Sequence, residues 1–185
     1  MEPLEQLDQL GPLLAQVVGN IKPEQLDNAT PCANFAVRDV LTHMIGGANA
    51  FAAAFRGETP PAEPPSDDVL AAFGPALTDL ATAIQSPGAL ERTVAAPFGD
   101  TPGSTFARFV VLDGLVHGWD LSMATGQEYA PSDGLVANVT AFAEQALDPL
   151  RDGDTFADAN EAPTSATPIQ RLVAYTGRQL TGATS

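Results

Sequence analysis

Apolar residues recur every three or four positions in several long segments of this chain, and that period is typical of helices with one buried face. In the first segment, Leu4, Leu7, Leu10 and Leu14 share one face, and Gly19 ends the pattern. The same analysis of the whole sequence predicts five long helices, over residues 4–18, 37–56, 67–85, 104–125 and 132–150.

Polar residues at the starts of the later segments predict their N-caps. Ser66, with Asp67 and Asp68, is expected to cap the third helix, and Ser104 the fourth. The fourth helix is expected to end at Gly126, because glycine readily adopts the left-handed conformation that ends helices.

The segments between the helices differ in composition. Residues 57–66 hold four prolines and predict an extended linker, and residues 91–103 predict a short hairpin or a stiff loop. Residues 151–168 are polar and irregular, and a short last element covers residues 169–175. We therefore predict an all-α fold, a four-helix bundle with a long crossover connection and a short C-terminal extension. Residues 1–185 are predicted to form one domain, with an irregular C-terminal extension over 151–185.

Charge and composition exclude several classes of function. The chain has 8 Lys+Arg against 23 Asp+Glu, a formal net charge of −15, so we expect neither nucleic acid nor an anionic membrane as a partner. No apolar run approaches the roughly 18 residues that a membrane span needs, and the acidic N-terminus does not resemble a secretory signal, so we expect a cytoplasmic protein. Cys32 is the single cysteine, which excludes an intramolecular disulfide and a zinc site with several cysteines.

The chain has two histidines, and both fall inside predicted helices. Asp113 and His117 are four residues apart, so they lie on the same face as the apolar stripe of the fourth helix. A buried carboxylate needs a partner, and two interpretations supply one: a hydrogen-bonded Asp–His pair in the core, or a pair of metal ligands. His43, on the second helix, would complete three ligands with open positions, which suits a catalytic Zn²⁺ and also Ni²⁺ or Fe²⁺. The Gly46–Gly47 pair that follows indicates a close helix approach, space for a ligand, or a kink.

Three further residues have alternative interpretations. Asp120, one turn beyond His117, could orient that histidine from behind or be a solvated helix charge. Asp39, one turn before His43, is expected at the surface. Cys32 precedes the second helix, whose N-terminus could lower its pKa, although a lone cysteine is more often inert.

Two segments resemble a known family. TPCANFAVRDVLTHMIGG (residues 30–47) and VLDGLVHGWDLSMATGQ (residues 111–127) are similar to the paired motifs of the DinB/YfiT-like superfamily. The similarity is greatest to the actinobacterial branch related to the N-terminal domain of mycothiol-dependent maleylpyruvate isomerase. The resemblance implies a four-helix bundle in which His43, Asp113 and His117 bind a divalent metal that activates the thiol of a cofactor such as mycothiol.

This chain departs from the family pattern in three ways. Phe35 stands where tryptophan is usual in the first motif. Asp113 stands where the second motif of the isomerases has a glutamate. The isomerases also carry a further C-terminal domain that contributes to the active site, and residues 151–185 are too short to be that domain.

The resulting hypothesis is a divalent-metal protein, with zinc as the favoured metal, that acts as a thiol-dependent transferase or isomerase. Its expected partners are a small-molecule thiol and an electrophilic substrate. The sequence also allows a homodimer. Two alternatives are a non-catalytic bundle that binds a metal or a small molecule, and a metal-free bundle with an Asp–His core network.

Overall fold

The structure is a computed structural model of the 185-residue chain that describes residues 1–60, 67–96, 98–151 and 157–180. Two short 3₁₀ turns, Pro23–Gln25 and Asp148–Leu150, accompany the longer elements. In chain order the helices and strands are α1 (Pro3–Gly19), α2 (Val37–Arg56), α3 (Val69–Gln85), β1 (Thr93–Ala96), β2 (Gly99–Pro102), α4 (Gly103–Thr125), α5 (Asp133–Ala146) and α6 (Pro168–Tyr175).

Helices α1 to α4 form the bundle that the hydrophobic period predicts. Helix α2 packs most extensively on α3, and α1 packs on α4, while further contacts join α1 to α3 and α2 to α4. Helix α5 covers α4, α6 packs on α5, and the β1–β2 hairpin lies against α2 and α4. The all-α prediction is confirmed, with one small hairpin as the only sheet among the described residues. Within those residues, no helix is long and apolar enough to cross a bilayer.

Side-chain caps define the starts of three of the helices, and in α6 the cap is Thr167, whose hydroxyl accepts from the Gln170 N–H at 3.4 Å. The Asp68 carboxylate accepts a hydrogen bond from the Ala71 backbone N–H at 3.1 Å at the start of α3. Ser132 caps α5 through the Leu135 N–H at 3.2 Å. The expected contribution of Ser66 lies outside the described residues, as does most of the predicted 57–66 linker.

The start of α4 corrects the sequence prediction. Of the two alternatives for residues 91–103, the hairpin is the one observed, and β2 leads directly into the helix. Pro102 therefore occupies the N-cap position with φ −56°, and Ser104 is already inside the helix rather than its cap. Gly103 is required here, because a Cβ at this position would overlap the Ala89 carbonyl oxygen.

The end of α5 also differs from the prediction. The helix stops at Ala146, and residues 148–150 form a 3₁₀ turn in place of the last helical turn. Pro149 explains the change, because proline has no N–H to donate to the carbonyl four residues earlier.

The Gly46–Gly47 pair does not mark a close helix approach. A Cβ at Gly46 would meet no atom within 4 Å, and one at Gly47 would touch only Phe51 of the same helix. That part of the sequence interpretation is wrong.

An aromatic cluster anchors the hairpin to the bundle. The Phe106 ring lies 5.0 Å from the ring of Phe51, 5.3 Å from Phe55 and 6.2 Å from Phe98 between ring centroids. Only 1% of Phe106 is exposed, so its ring fills the space between α2, α4 and the hairpin.

Replacing Phe106 with alanine is expected to lower the free energy of unfolding by about 3–5 kcal/mol, because a large cavity replaces the ring. Urea unfolding followed by circular dichroism measures this loss. The matched control is Met123→Ala on the same helix, where 52% of the methionine is exposed and almost no change is expected. Equal stability losses in the two variants would contradict the packing described.

Candidate metal centre

The bundle brings His43, Asp113 and His117 together. The Asp113 Oδ1 atom lies 3.4 Å from Nε2 of His43 and 3.5 Å from Nε2 of His117. The two imidazole rings are 4.9 Å apart between centroids, and one ligand atom from each of the three residues lies within 4.8 Å of the others. The second helix therefore supplies the third candidate ligand, as the sequence analysis expected.

Two of the three separations between candidate ligand atoms match those of a zinc site. A tetrahedral zinc site with Zn–N and Zn–O bonds of about 2.0–2.1 Å holds neighbouring ligand atoms about 3.3–3.4 Å apart. Both measured N–O distances are close to this value, at 3.4 and 3.5 Å. The donor set, two imidazole nitrogens and one carboxylate oxygen, is also one that catalytic zinc accepts.

The centre is buried on one side and open on the other. The side chain of His117 is 8% exposed, whereas those of His43 and Asp113 are 44% and 39% exposed. The sequence analysis placed Asp113 on the buried face, but its side chain is only partly buried, because it lies where the apolar face meets solvent. A small molecule can therefore approach the three residues from outside the bundle.

Asp120 fixes the orientation of His117. Its carboxylate is fully buried and lies 2.9 Å from His117 Nδ1. A carboxylate can only accept a hydrogen bond, so Nδ1 carries a proton, and in the neutral ring Nε2 keeps its lone pair. Nε2 then faces the Asp113 oxygen without a proton between them, an arrangement that a cation would stabilise.

Arg178 completes the buried side of the centre. Its Nη2 donates to Asp120 at 2.8 Å and its Nε lies 3.4 Å from the other carboxylate oxygen. Nη1 donates to the Thr176 carbonyl at 3.2 Å. The Asp120 charge is thus neutralised inside the protein by a residue 58 positions later in the chain.

The segment after α6 turns back sharply to deliver this arginine. Gly177 has φ +91°, and its N–H donates to the Ala174 carbonyl at 2.9 Å. Any Cβ at Gly177 would lie 2.6 Å from that of Ala157, so glycine is required both by conformation and by packing. Asn160 holds the turn by donating to the Gly177 carbonyl at 2.8 Å.

A cavity of about 480 Å³ opens over these residues. His43, Asp113, His117 and Arg178 supply its polar wall. Apolar residues supply most of the remaining described lining: Pro31, Ala33, Phe35, Leu112, Val116 and Ala157. Cys32, Thr176 and Gly177 complete it. The volume is typical of small-molecule sites.

The charges around Asp113 favour its ionised form. Burial alone would raise the pKa of this carboxyl, but His117, His43 and Arg178 together outweigh burial and hold the pKa below its usual value. The hydrogen bond to Asp113 raises the pKa of His43. Asp113 is therefore an anion at neutral pH, as a metal ligand must be.

Comparison with known proteins agrees with this geometry. Residues 7–122 match the family described as the mycothiol maleylpyruvate isomerase N-terminal domain. The chain belongs to this family. It is also 30% identical over 182 residues to an uncharacterized protein of Mycobacterium tuberculosis, found in strains CDC 1551 / Oshkosh and ATCC 25618 / H37Rv. That alignment covers 96% of this chain and 98% of the relative, and no solved structure matches.

Membership confirms the resemblance noted from the sequence, and the family is metal-binding and mycothiol-related. The three candidate ligands that the two sequence motifs contain, His43, Asp113 and His117, lie close together in the structure. Asp120 lies within the matched range, whereas Arg178 lies beyond it.

Cys32 also lines the cavity, although its sulfur does not belong to the group of atoms formed by His43, Asp113 and His117. Its sulfur lies within 4.8 Å of atoms of His117 and Asp120, so these three could in principle hold an ion. The Arg178 guanidinium already supplies the positive charge on that side of His117. We therefore take the His43–Asp113–His117 group as the candidate metal centre.

A tight turn holds Cys32 at the rim. Its backbone N–H donates to the Thr30 hydroxyl at 3.2 Å, and Thr30 in turn donates to the Phe35 carbonyl at 2.8 Å. Burial raises the pKa of the thiol, and the charge of Arg178 only partly offsets this. The alternative of a pKa lowered by the N-terminus of α2 is wrong.

Sequence analysis missed Arg178 as a functional residue. One local signal was its rarity, because the chain has eight basic residues in all. Its role depends on Asp120 being buried, and the helical spacing of Asp120 did not distinguish burial from exposure.

We expect Asp120→Asn to lower the free energy of unfolding by about 3–5 kcal/mol, because the buried Arg178 charge loses its partner. The control is Asp79→Asn, which removes an exposed carboxylate from Arg56 and should leave stability nearly unchanged. Chemical denaturation at low ionic strength compares the two. A loss from Asp120→Asn no larger than the control's would show that the ion pair is unimportant.

The reactivity of Cys32 gives a second prediction. In metal-free protein, alkylation by iodoacetamide at pH 7.5 should be slower for the folded chain than for the same chain in urea, because the raised pKa leaves little thiolate. The rate in the folded protein should reach half its maximum above pH 9.0. Faster reaction of the folded protein at pH 7.5 would instead reveal an activated thiol.

Proposed function

We propose that this protein binds a divalent metal through His43, Asp113 and His117 and uses it to activate a small-molecule thiol. Zinc is the favoured metal, with Ni²⁺ and Fe²⁺ as alternatives that accept the same donor set. The favoured thiol is mycothiol, in keeping with the family. The reaction is transfer of the thiol to a small electrophile, or an isomerisation that proceeds through such an addition.

The observation that carries the proposal is the orientation of His117. Its Nδ1 is engaged by the buried Asp120 at 2.9 Å, so Nε2 is left to face Asp113 and His43. Such a carboxylate–histidine arrangement is the usual support of a catalytic metal ligand. A histidine that served only as packing would not need a buried carboxylate and a buried arginine behind it.

Three protein ligands leave a coordination position for an exogenous group, and a bound divalent ion lowers the pKa of a coordinated thiol. The charges in and directly behind the candidate centre agree with this role. Asp113 and Asp120 contribute two negative charges and Arg178 one positive charge. With a divalent ion the site carries a net charge of +1, and one thiolate neutralises it.

Residues at the mouth of the cavity would position the thiol. Phe35 is 36% exposed, and its ring lies 6.3 Å from that of His43. It therefore offers an apolar wall on the solvent side of the candidate metal ligands. Arg178 keeps its guanidinium on the opposite side, where it supports Asp120 and leaves the metal side of His117 clear.

A non-catalytic binding role would use the same centre. Metal binding, thiol binding and turnover are therefore measured separately, so that each can fail without the others.

Elemental analysis of untagged protein tests the metal centre. After reconstitution with Zn²⁺ and dialysis, wild type should hold about one equivalent. His43→Ala should hold little metal, because it removes one of three ligands while its exposed position leaves the fold intact. Asp39→Ala, which removes an exposed carboxylate one turn earlier on α2, should retain metal like the wild type. Retention of a full equivalent by His43→Ala would refute the assignment.

Thiol chemistry is tested on the loaded protein. Cobalt-substituted wild type should develop a sulfur-to-metal charge-transfer band when mycothiol is added, and His43→Ala should not. Consumption of mycothiol with an electrophile then distinguishes an enzyme from a binder, because a binder gives the band without turnover.

A further inference from the structure

A second cavity lies beside the metal centre, and we call it the apolar cleft. All four bundle helices contribute to its lining, for example through Leu10, Met44, Leu80 and Val110, and its volume is about 100 Å³. Among the described lining residues, Asp113 is the only one with a polar side chain.

The apolar cleft adjoins the metal centre directly. Asp113 borders both cavities, and Met44 in the cleft follows His43 in the sequence of α2. A ligand that fills the cleft therefore ends beside the candidate metal ligands. This continuity distinguishes the cleft from a packing defect elsewhere in the core.

The chemistry of the lining selects the kind of group that fits. Burying apolar surface is worth about 25 cal/mol per Å², and apolar cavities of about 150 Å³ in proteins stay dry and bind benzene. A cleft of about 100 Å³ that is open to solvent suits a short alkyl chain or a small aromatic ring that lies partly outside it. An anionic group would instead face the Asp113 carboxylate with no cation in the described lining.

The larger cavity beside the metal centre also offers few positive charges to an anionic substrate. Arg178 is the only Lys or Arg in its described lining, and its guanidinium is already engaged by Asp120 at 2.8 Å and by Thr176 at 3.2 Å. The Asp120 carboxylate already neutralises this guanidinium, so a substrate carboxylate would gain little net attraction from it.

We propose that the apolar cleft binds an uncharged apolar group, and that this group belongs to the electrophile attacked by the thiol. The binding of an apolar group is argued from the cleft alone. The assignment of that group to the electrophile rests on the proposed function. The substrate class is therefore uncharged electrophiles with a small hydrocarbon portion, rather than dicarboxylates.

Ligand-observed NMR with toluene and benzoate tests the cleft without any need for metal or thiol. Wild type should bind toluene at least tenfold more tightly than benzoate. Gly11→Leu should weaken toluene binding at least tenfold, because Gly11 lines the cleft, is exposed, and has no atom within 4 Å of a Cβ built there. Leucine also favours a helix more than glycine, so the variant should fold.

Two further variants make the result decisive. Ala81→Leu narrows the cleft from α3 and should also weaken toluene binding, whereas Gly46→Leu, at an exposed helical glycine outside the cleft, should not. Equal toluene affinity in wild type, Gly11→Leu and Ala81→Leu, or benzoate binding as tight as toluene binding, would overturn the proposal.

The substrate half is tested with dimethyl maleate and maleate as a matched pair of electrophiles on the metal-loaded protein with mycothiol. The uncharged ester should show a kcat/KM at least tenfold higher, and Gly11→Leu should lower that value at least tenfold with metal content unchanged. A preference for the dianion would overturn the assigned substrate class. Absence of any thiol addition, with toluene binding as expected, would instead mean that the proposed function fails while the cleft stands.

Discussion

The fully buried carboxylate of Asp120 is the constraint on which the centre depends. An ionised carboxylate in the core is stable only with a cation and hydrogen bonds around it, and here Arg178 and His117 supply them. Both partners are themselves nearly buried, with side chains 14% and 8% exposed. The C-terminal segment must therefore fold back onto α4, and the ring of His117 must keep one orientation.

This constraint divides the centre into a rigid half and an accessible half. His117 is locked from behind, so its Nε2 has one direction available, whereas His43 and Asp113 reach the same point from positions that solvent can enter. Rigid support on one side and access on the other are what a site needs if a small molecule is to bind at a fixed ion. A metal-free network of Asp113 and His117 would be expected to be buried in the core. It would not explain why the Asp113 carboxylate stays partly exposed, or why His43, also partly exposed, lies beside it.

Much of the bundle could be predicted from the sequence, because helical period is a local property. Helix α2 occupies its predicted residues, and His43, Asp113 and His117 were found from their spacing and their place in two motifs. The errors arise where tertiary contacts decide. Ser104 is a good cap by composition, yet the hairpin leads into α4 and places Pro102 at that position. Burial of Asp120 depends on Arg178, and no local pattern links residues 58 positions apart.

The position of Arg178 also bears on what the family relationship can explain. The family match covers residues 7–122 and so includes the three candidate ligands and Asp120, but not the arginine that neutralises Asp120. Residues 7–122 alone would leave the Asp120 carboxylate without the cation that neutralises it, which is energetically costly for a buried charge. The segment after α6 is therefore part of the centre in a physical sense. In this chain a turn of a few residues at Gly177 delivers the buried cation, so the short C-terminal extension completes the buried side of the candidate centre while the opposite side stays open to solvent.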